Sequence, residues 1–329
     1  MRRFKRTLTA LVLMAVTVGR AAGWSPVSAQ TPLTAPLPGV EEWLADTSLG
    51  RPLPDPSTTG PAEMAAFFDG TTARQRVRLA EEHPSVVGNL DGAPIALRYR
   101  ANKAVTGRDG VLAYDPRGRG RIATVVGDLT TAAHVSIVIP GSDISASSRF
   151  GRLERMAGRL QKEAGEDTAV IAWAGYTTPE GVGIDAATGR LAEDGAERLT
   201  RFTRGLDAAG IPDPVLFCHS YGSVVCGLAA AGTDATDIVV AGSPGMRAGT
   251  AADLRTDATV WAATSPRDWI RRIPNVEFLG LGHGTDPTDP AFGARTLDAS
   301  RVPLHSAYFD TGTTTLAAFA AIATGGDPR

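Results

Sequence analysis

The chain is poor in cysteine. It has two, Cys218 and Cys226, which excludes a disulfide-rich scaffold and a cysteine-cluster metal site. It is nearly without lysine: Lys5, Lys103 and Lys162 stand against a background of scattered arginines. Neither sign of charge dominates, since the formal net charge is −2. Composition therefore gives no electrostatic case for binding nucleic acid. No internal repeat stands out. After the first thirty or so residues, no run is apolar enough to span a bilayer.

What is present begins with a leader-like N-terminus. Met1–Arg6 is basic, Leu8–Val18 is apolar, and Val27-Ser28-Ala29 is a small-x-small cleavage signature. This pattern predicts a secretory signal peptide over 1–29, cut after Ala29, with a mature chain in the envelope or outside the cell. The alternative is an uncleaved anchor. Arg2-Arg3 hints at twin-arginine export, but its flanks fit poorly. Residues 30–61, rich in Pro, Thr and Gly, read as a linker. Residues 62–109 read as a helical segment, with Thr71 or Thr72 capping a helix that His83-Pro84 ends.

From residue 110 to 329 the rhythm changes. Val111–Tyr114 and Arg121–Val126 flank the turn Asp115-Pro116-Arg117-Gly118 and predict a hairpin. Val135–Ile139, Ala169–Trp173, Val215–Cys218, Ile238–Ala241 and Thr259–Ala263 are short apolar runs, suited to strands buried on both faces. Phe150–Ala164 and Leu191–Leu206 carry apolar residues on one helical face, and Tyr221–Ala231 is a short apolar helix. Alternation of this kind predicts an α/β fold with a mostly parallel sheet and helices on both faces. The leading hairpin narrows it toward the α/β-hydrolase arrangement.

Ser-x-Gly occurs at Ser48, Ser220 and Ser243. Only Ser220 follows a buried strand and opens a helix. Such a turn strains the backbone and lifts the hydroxyl toward the crevice beyond the strand ends. Cys218 stands where glycine is usual, two residues before the serine. Cys226 is eight residues on, one helical turn from Gly222. A Cys218–Cys226 disulfide and a pair of buried thiols are both compatible with that spacing.

A serine nucleophile needs a base, and the base needs an acid to orient it. Asp268, after the last apolar run, is the candidate acid; it also reads as a helix N-cap or an ion-pair partner of Arg271 or Arg272. Of five histidines, His83 precedes the sheet, His134 enters it at the wrong end, and His219 points away from its neighbour. His305, before a final apolar helix, is preferred as base, with His283 as the alternative. The oxyanion donors are expected to be the amides of Tyr221 and of Ser142 or Asp143, with Gly141 relieving the turn.

These segments together resemble a family of exported actinobacterial α/β-hydrolases long filed as a domain of unknown function. The likeness runs from about Ala62 to the C-terminus. It is carried by Phe67-Phe68, His83-Pro84-Ser85-Val86-Val87-Gly88-Asn89-Leu90-Asp91-Gly92, Ala101-Asn102-Lys103, Gly127-Asp128, Val138-Ile139-Pro140-Gly141 and Trp173-Ala174-Gly175-Tyr176. It continues in His219-Ser220-Tyr221-Gly222-Ser223, His283-Gly284-Thr285-Asp286-Pro287 and His305-Ser306-Ala307-Tyr308-Phe309. The departure is Cys218, where the family pattern has glycine. The resemblance implies the fold and a Ser220–Asp268–His305 triad, and no defined substrate.

The expectation is a secreted serine hydrolase acting on an ester through an acyl-enzyme. It calls for no metal, no cofactor and no nucleic acid. Gly242–Ala258, where this fold often inserts a lid, is short, polar and glycine-rich, which points to small or polar esters. The alternatives are a peptidase, amidase or envelope acyltransferase with the same triad, and an inactive binding module.

Overall fold

The computed structural model describes residues 29–328. Apart from Ala29, the expected leader lies outside the described residues.

The N-terminal helices are α1 (Val40–Ala45), α2 (Pro61–Asp69), α3 (Ala73–Glu82), α4 (Pro84–Val87) and α5 (Ile95–Thr106). They enclose their own apolar cluster of Trp43, Leu53, Met64, Phe68, Leu79, Val86 and Leu90. Thr72 caps α3 in a capping box with Gln75. The linker expectation for 30–61 is corrected here. Trp43 is fully buried, and its indole N–H donates to the Pro54 carbonyl at 2.7 Å. A single Trp buries enough surface to fix a Pro- and Gly-rich stretch that composition alone reads as loop.

The strands are β1 (Val111–Asp115), β2 (Arg121–Val126), β3 (His134–Ile139), β4 (Thr168–Ala174), β5 (Val215–His219), β6 (Asp237–Ala241), β7 (Gly245–Ala248), β8 (Thr259–Ala263), β9 (Glu277–Phe278), β10 (Leu281–Gly284) and β11 (Arg295–Thr296). The main sheet has the order β1-β2-β4-β3-β5-β6-β8-β11. The β1–β2 and β2–β4 pairs are antiparallel; from β4 to β11 the sheet is parallel. At the hairpin, buried Asp115 is held by Arg117 and Arg121.

Helix α6 (Phe150–Ala164) joins β3 to β4. The short α7 (Ile184–Ala187) and long α8 (Arg190–Ala208) lead back past β3 to β5. The connection reverses direction at β3, so a crevice opens where β3 and β5 end side by side. Alternation along β5 divides the core. Leu216 and Cys218 face one cluster with Leu191, Leu199 and Phe202 of α8 and Val224 and Val225 of α9 (Gly222–Ala229). Val215 and Phe217 face the other, with Leu153 and Leu160 of α6 and Leu316 and Phe319 of α10 (Thr314–Ala323).

The predicted strands and the three sheet helices are present within a residue or two. Additional to them is a small sheet, β7-β10-β9. The polar 242–258 segment supplies its β7 and a 3₁₀ turn over Ala251–Leu254. At the free edge of the main sheet, the Asn89 carboxamide donates to Tyr114 O (2.7 Å) and accepts from Tyr114 N (3.0 Å). It meets β1 as a neighbouring strand would.

Candidate active site

Ser220 sits between the end of β5 and the start of α9 with φ +56°, a left-handed conformation that costs a serine energy. Two features hold it there. Its amide donates to Ala241 O at 2.9 Å. Behind it, Cys218 on β5 and Cys226 on α9 are joined in a disulfide with their Cα atoms 6.4 Å apart. The disulfide crosses from strand to helix on the face that β5 alternation assigns to Cys218. Gly222 has no room for a side chain: a Cβ there would lie 2.7 Å from both Ile139 O and Pro140 O.

The Ser220 hydroxyl donates to His305 Nε2 at 2.8 Å. On the other side of the ring, His305 Nδ1–H points between the two Asp268 oxygens, each 2.9 Å away. Asp268 also accepts the Ile270 amide at 2.9 Å and the Tyr308 hydroxyl at 2.7 Å. Burial raises the Asp268 pKa, but the His305 hydrogen bond and charge, the Ile270 amide and the Tyr308 hydroxyl outweigh it and hold the carboxyl below its ordinary value. Asp268 thus also caps the 3₁₀ turn Trp269–Arg272. Gly242, at φ +58°, makes this packing possible. A Cβ there would meet Asp268 Oδ2 at 2.9 Å and His305 Cε1 at 3.1 Å.

Gly141 does more than relieve a turn. A Cβ at this position would lie 2.6 Å from Ser220 Cβ, 3.0 Å from Ser220 Oγ and 3.1 Å from Tyr221 N. Glycine keeps open the space beside both the hydroxyl and that amide. Among the described residues, the Tyr221 and Ser142 amides have no hydrogen-bond partner. The Asp143 candidate is corrected: its amide donates to Pro179 O at 2.8 Å, and its carboxylate accepts from the Gly181 amide. Asp143 holds a left-handed backbone, φ +67°.

His283, the alternative base, is not joined to Ser220. It is buried, and its Nε2–H donates to Ala186 O at 2.7 Å, leaving Nδ1 without a partner. Burial lowers its pKa to about 4, so it is neutral. Adjacency to Ser220 argues against a role for His219, yet its ring reaches the His305 loop. Its Nε2–H donates to the His305 carbonyl at 2.7 Å. Burial, and the nearby His305, lower its pKa to about 3.

Tyr308 and Tyr176 have contacts that the sequence alone does not show. Tyr308 OH accepts the Ser265 amide while donating to Asp268, and Tyr176 OH donates to Pro140 O at the base of the Gly141 loop. Tyr308 lies three residues after His305, a spacing that suits a turn bringing both to one carboxylate. The exposed Trp269 ring lies 4.8 Å from the His305 ring. Of metal-type groups among the described residues, Asp46, Glu82 and His83 come together, but on the N-terminal helices, where His83 already bonds Asp46 at 2.9 Å.

Residues 115–278 match the family model described as alpha/beta hydrolase. This chain has the α/β-hydrolase fold. Two uncharacterized proteins of Mycobacterium tuberculosis, from strains CDC 1551 / Oshkosh and ATCC 25618 / H37Rv, are each 26% identical to it, with 93% of this chain aligned. The chain spans 59% of the length of each. Among solved structures, dienelactone hydrolase from Anabaena variabilis is 19% identical, with 63% of this chain and 90% of that chain covered, at a TM-score of 0.39. The esterase domain of a Rhodothermus marinus protein is 14% identical, with 64% and 92% covered, at a TM-score of 0.38.

Proposed function

We propose that this α/β hydrolase is an exported serine hydrolase that cleaves ester bonds. The observation that carries the reading is the unbroken line from Ser220 Oγ through His305 to Asp268, at 2.8 and 2.9 Å, with the serine on a left-handed turn. In this reading His305 Nε2 takes the Ser220 proton as the oxygen attacks the acyl carbon. Asp268 holds the ring in the tautomer with Nδ1 protonated and stabilises the imidazolium that forms. Negative charge develops on the acyl oxygen in the gap that Gly141 leaves, against the Tyr221 and Ser142 amides. His305 then gives its proton to the leaving alcohol. Water, activated by the same imidazole, releases the acid and restores Ser220.

The substrate class we assign is a small ester with an apolar portion. Trp269 and Leu304 flank His305 and are exposed, giving an apolar group a place beside the base. The 242–258 segment is folded into β7 and a 3₁₀ turn, which supports access for small molecules. Export rests on the basic, apolar and small-x-small order of residues 1–29.

A fluorophosphonate probe tests the enzyme reading. The protein is expected to label, and Ser220→Ala to lose labelling. An unlabelled wild-type protein of normal fold would leave the inactive-module reading in its place. Aryl acetates beside peptide anilides then separate esterase from amidase: faster turnover of anilides would overturn the ester assignment.

A further inference from the structure

The first described residues run across the hydrolase domain without regular structure, held through their main chain. Leu33 O accepts from Arg121 (3.2 Å) and Arg198 (2.8 Å), and Ala35 O and Pro36 O accept from Arg117. At the start of this strap the Gln30 nitrogen lies 2.8 Å from Asp185 Oδ2. Asp185 is buried at 6% exposure, and its other oxygen accepts from Arg190 at 3.1 Å. Arg190 also donates to Gln30 O, and the Glu180 amide donates to Gln30 Oε1 at 3.0 Å. A carboxylate, a guanidinium and an amide therefore meet the nitrogen, carbonyl and side chain of one residue. That residue is the one a cut after Ala29 would leave at the terminus.

We propose that cleavage after Ala29 creates the working N-terminus, and that Asp185 receives the Gln30 α-ammonium group while Arg190 and the Glu180 amide hold the Gln30 carbonyl and side chain. The proposal rests on the leader reading, and its activity readout rests on the serine-hydrolase reading. In the cleavage, a leader peptidase adds water across the Ala29–Gln30 amide. The Ala29 carbonyl carbon gains the oxygen and becomes a carboxylate, and the Gln30 nitrogen leaves as an amine and takes up a proton. One neutral amide donor facing a buried carboxylate becomes a cation with three donors, and charge-assisted hydrogen bonds are roughly twice as strong as neutral ones.

The socket lies on the segment that backs the candidate active site. Within residues 176–189, Pro179 O receives the Asp143 amide, Gly181 donates to Asp143, Ala186 O receives His283, and Thr188 O receives the Tyr221 hydroxyl at 2.8 Å. Fixing Asp185 therefore bears on both the Ser142 loop and the residue after the nucleophile. Asp185 is a positioning residue; it touches no reacting atom.

The test compares the chain beginning at Gln30, released by a protease that leaves no extra residue, with the full chain, each as wild type and as Asp185→Asn. Serine labelling rate, kcat and KM for an aryl acetate, and Tm are measured. The Gln30 form is expected to label about tenfold faster than the full chain, with the change in kcat rather than KM. Asp185→Asn is expected to remove most of that gain, so the two losses are less than additive. Equal rates in the two forms, or fully additive losses, would overturn the proposal. So would mass spectrometry of the exported protein showing a terminus other than Gln30, or pyroglutamate, which carries no ammonium. If no form labels, the serine-hydrolase reading fails by itself, and Tm decides the socket. A higher Tm for the Gln30 form, cancelled by Asp185→Asn, supports it; no such increment overturns it.

Discussion

His219 donates its Nε2–H to the backbone carbonyl of His305, 2.7 Å away. The residue just before Ser220 therefore holds the main chain of His305. Replacing His219 with Ala removes that donor and leaves a part-buried carbonyl without it, a cost of roughly 1 kcal/mol. We expect kcat to fall about tenfold with KM little changed, and His219→Gln to recover part of the loss. Steady-state kinetics on an aryl acetate check this; a change confined to KM would contradict it.

Asp268→Asn keeps the shape of the site but removes the charge and the preference for the Nδ1-protonated tautomer. On the proposed serine-hydrolase reading, a loss of about 10⁴ in kcat is expected. Tm is expected to fall as well, because Asp268 also caps the turn at Ile270 and receives Tyr308.

Gly141→Ala places a methyl 2.6 Å from Ser220 Cβ and 3.1 Å from Tyr221 N. Labelling by the fluorophosphonate probe is expected to fall by about 10² or more, the scale of losing an oxyanion donor. Circular dichroism and Tm serve as the control for folding.

Two buried imidazoles predict acid sensitivity. His219 and His283 are held neutral, with pKa lowered to about 3 and about 4, mainly by burial. An unfolded imidazole titrates near ~6.5. Below that pH the unfolded chain takes up protons that the folded chain refuses. This contribution to stability is whole above about pH 6.5 and is lost as pH falls toward the folded values. A Tm series from about pH 8 to 4 is expected to decline, and His283→Gln to flatten it. An unchanged slope in that variant would remove His283 from the account.

The disulfide closes a short loop, worth about 2–3 kcal/mol on a chain-entropy basis. The denatured, non-reduced protein is expected to show no free thiol. Reduction is expected to lower Tm and slow labelling together, since the strand and the helix that the bridge joins meet at the Ser220 turn.

The sequence was most readable where one physical cause acted alone. β3 and β5 are continuous apolar runs because both faces are buried, and Leu153 and Leu160 sit on the buried face of α6. Ser220, Asp268 and His305 were legible because chain order and element ends constrain them. The illegible parts depend on tertiary contact. Trp43 needed partners from distant helices before its segment could be ordered. β11 is two residues long and exists only by pairing with β8. Asp143 lost its candidacy to Pro179, a contact across 36 residues that no local pattern encodes. Sequence adjacency hides the role of His219 in the packing, a hydrogen bond to a loop 86 residues away.

Asn89 has a consequence for how this molecule lives among copies of itself. An outermost ribbon with unspent amide and carbonyl groups invites another polypeptide to dock and extend it. Here a side chain from the helical prelude consumes both groups at Tyr114, while the far margin tapers to the two residues Arg295 and Thr296. Neither border offers a long template, so crowding is not expected to drive fibre-like stacking through the main sheet.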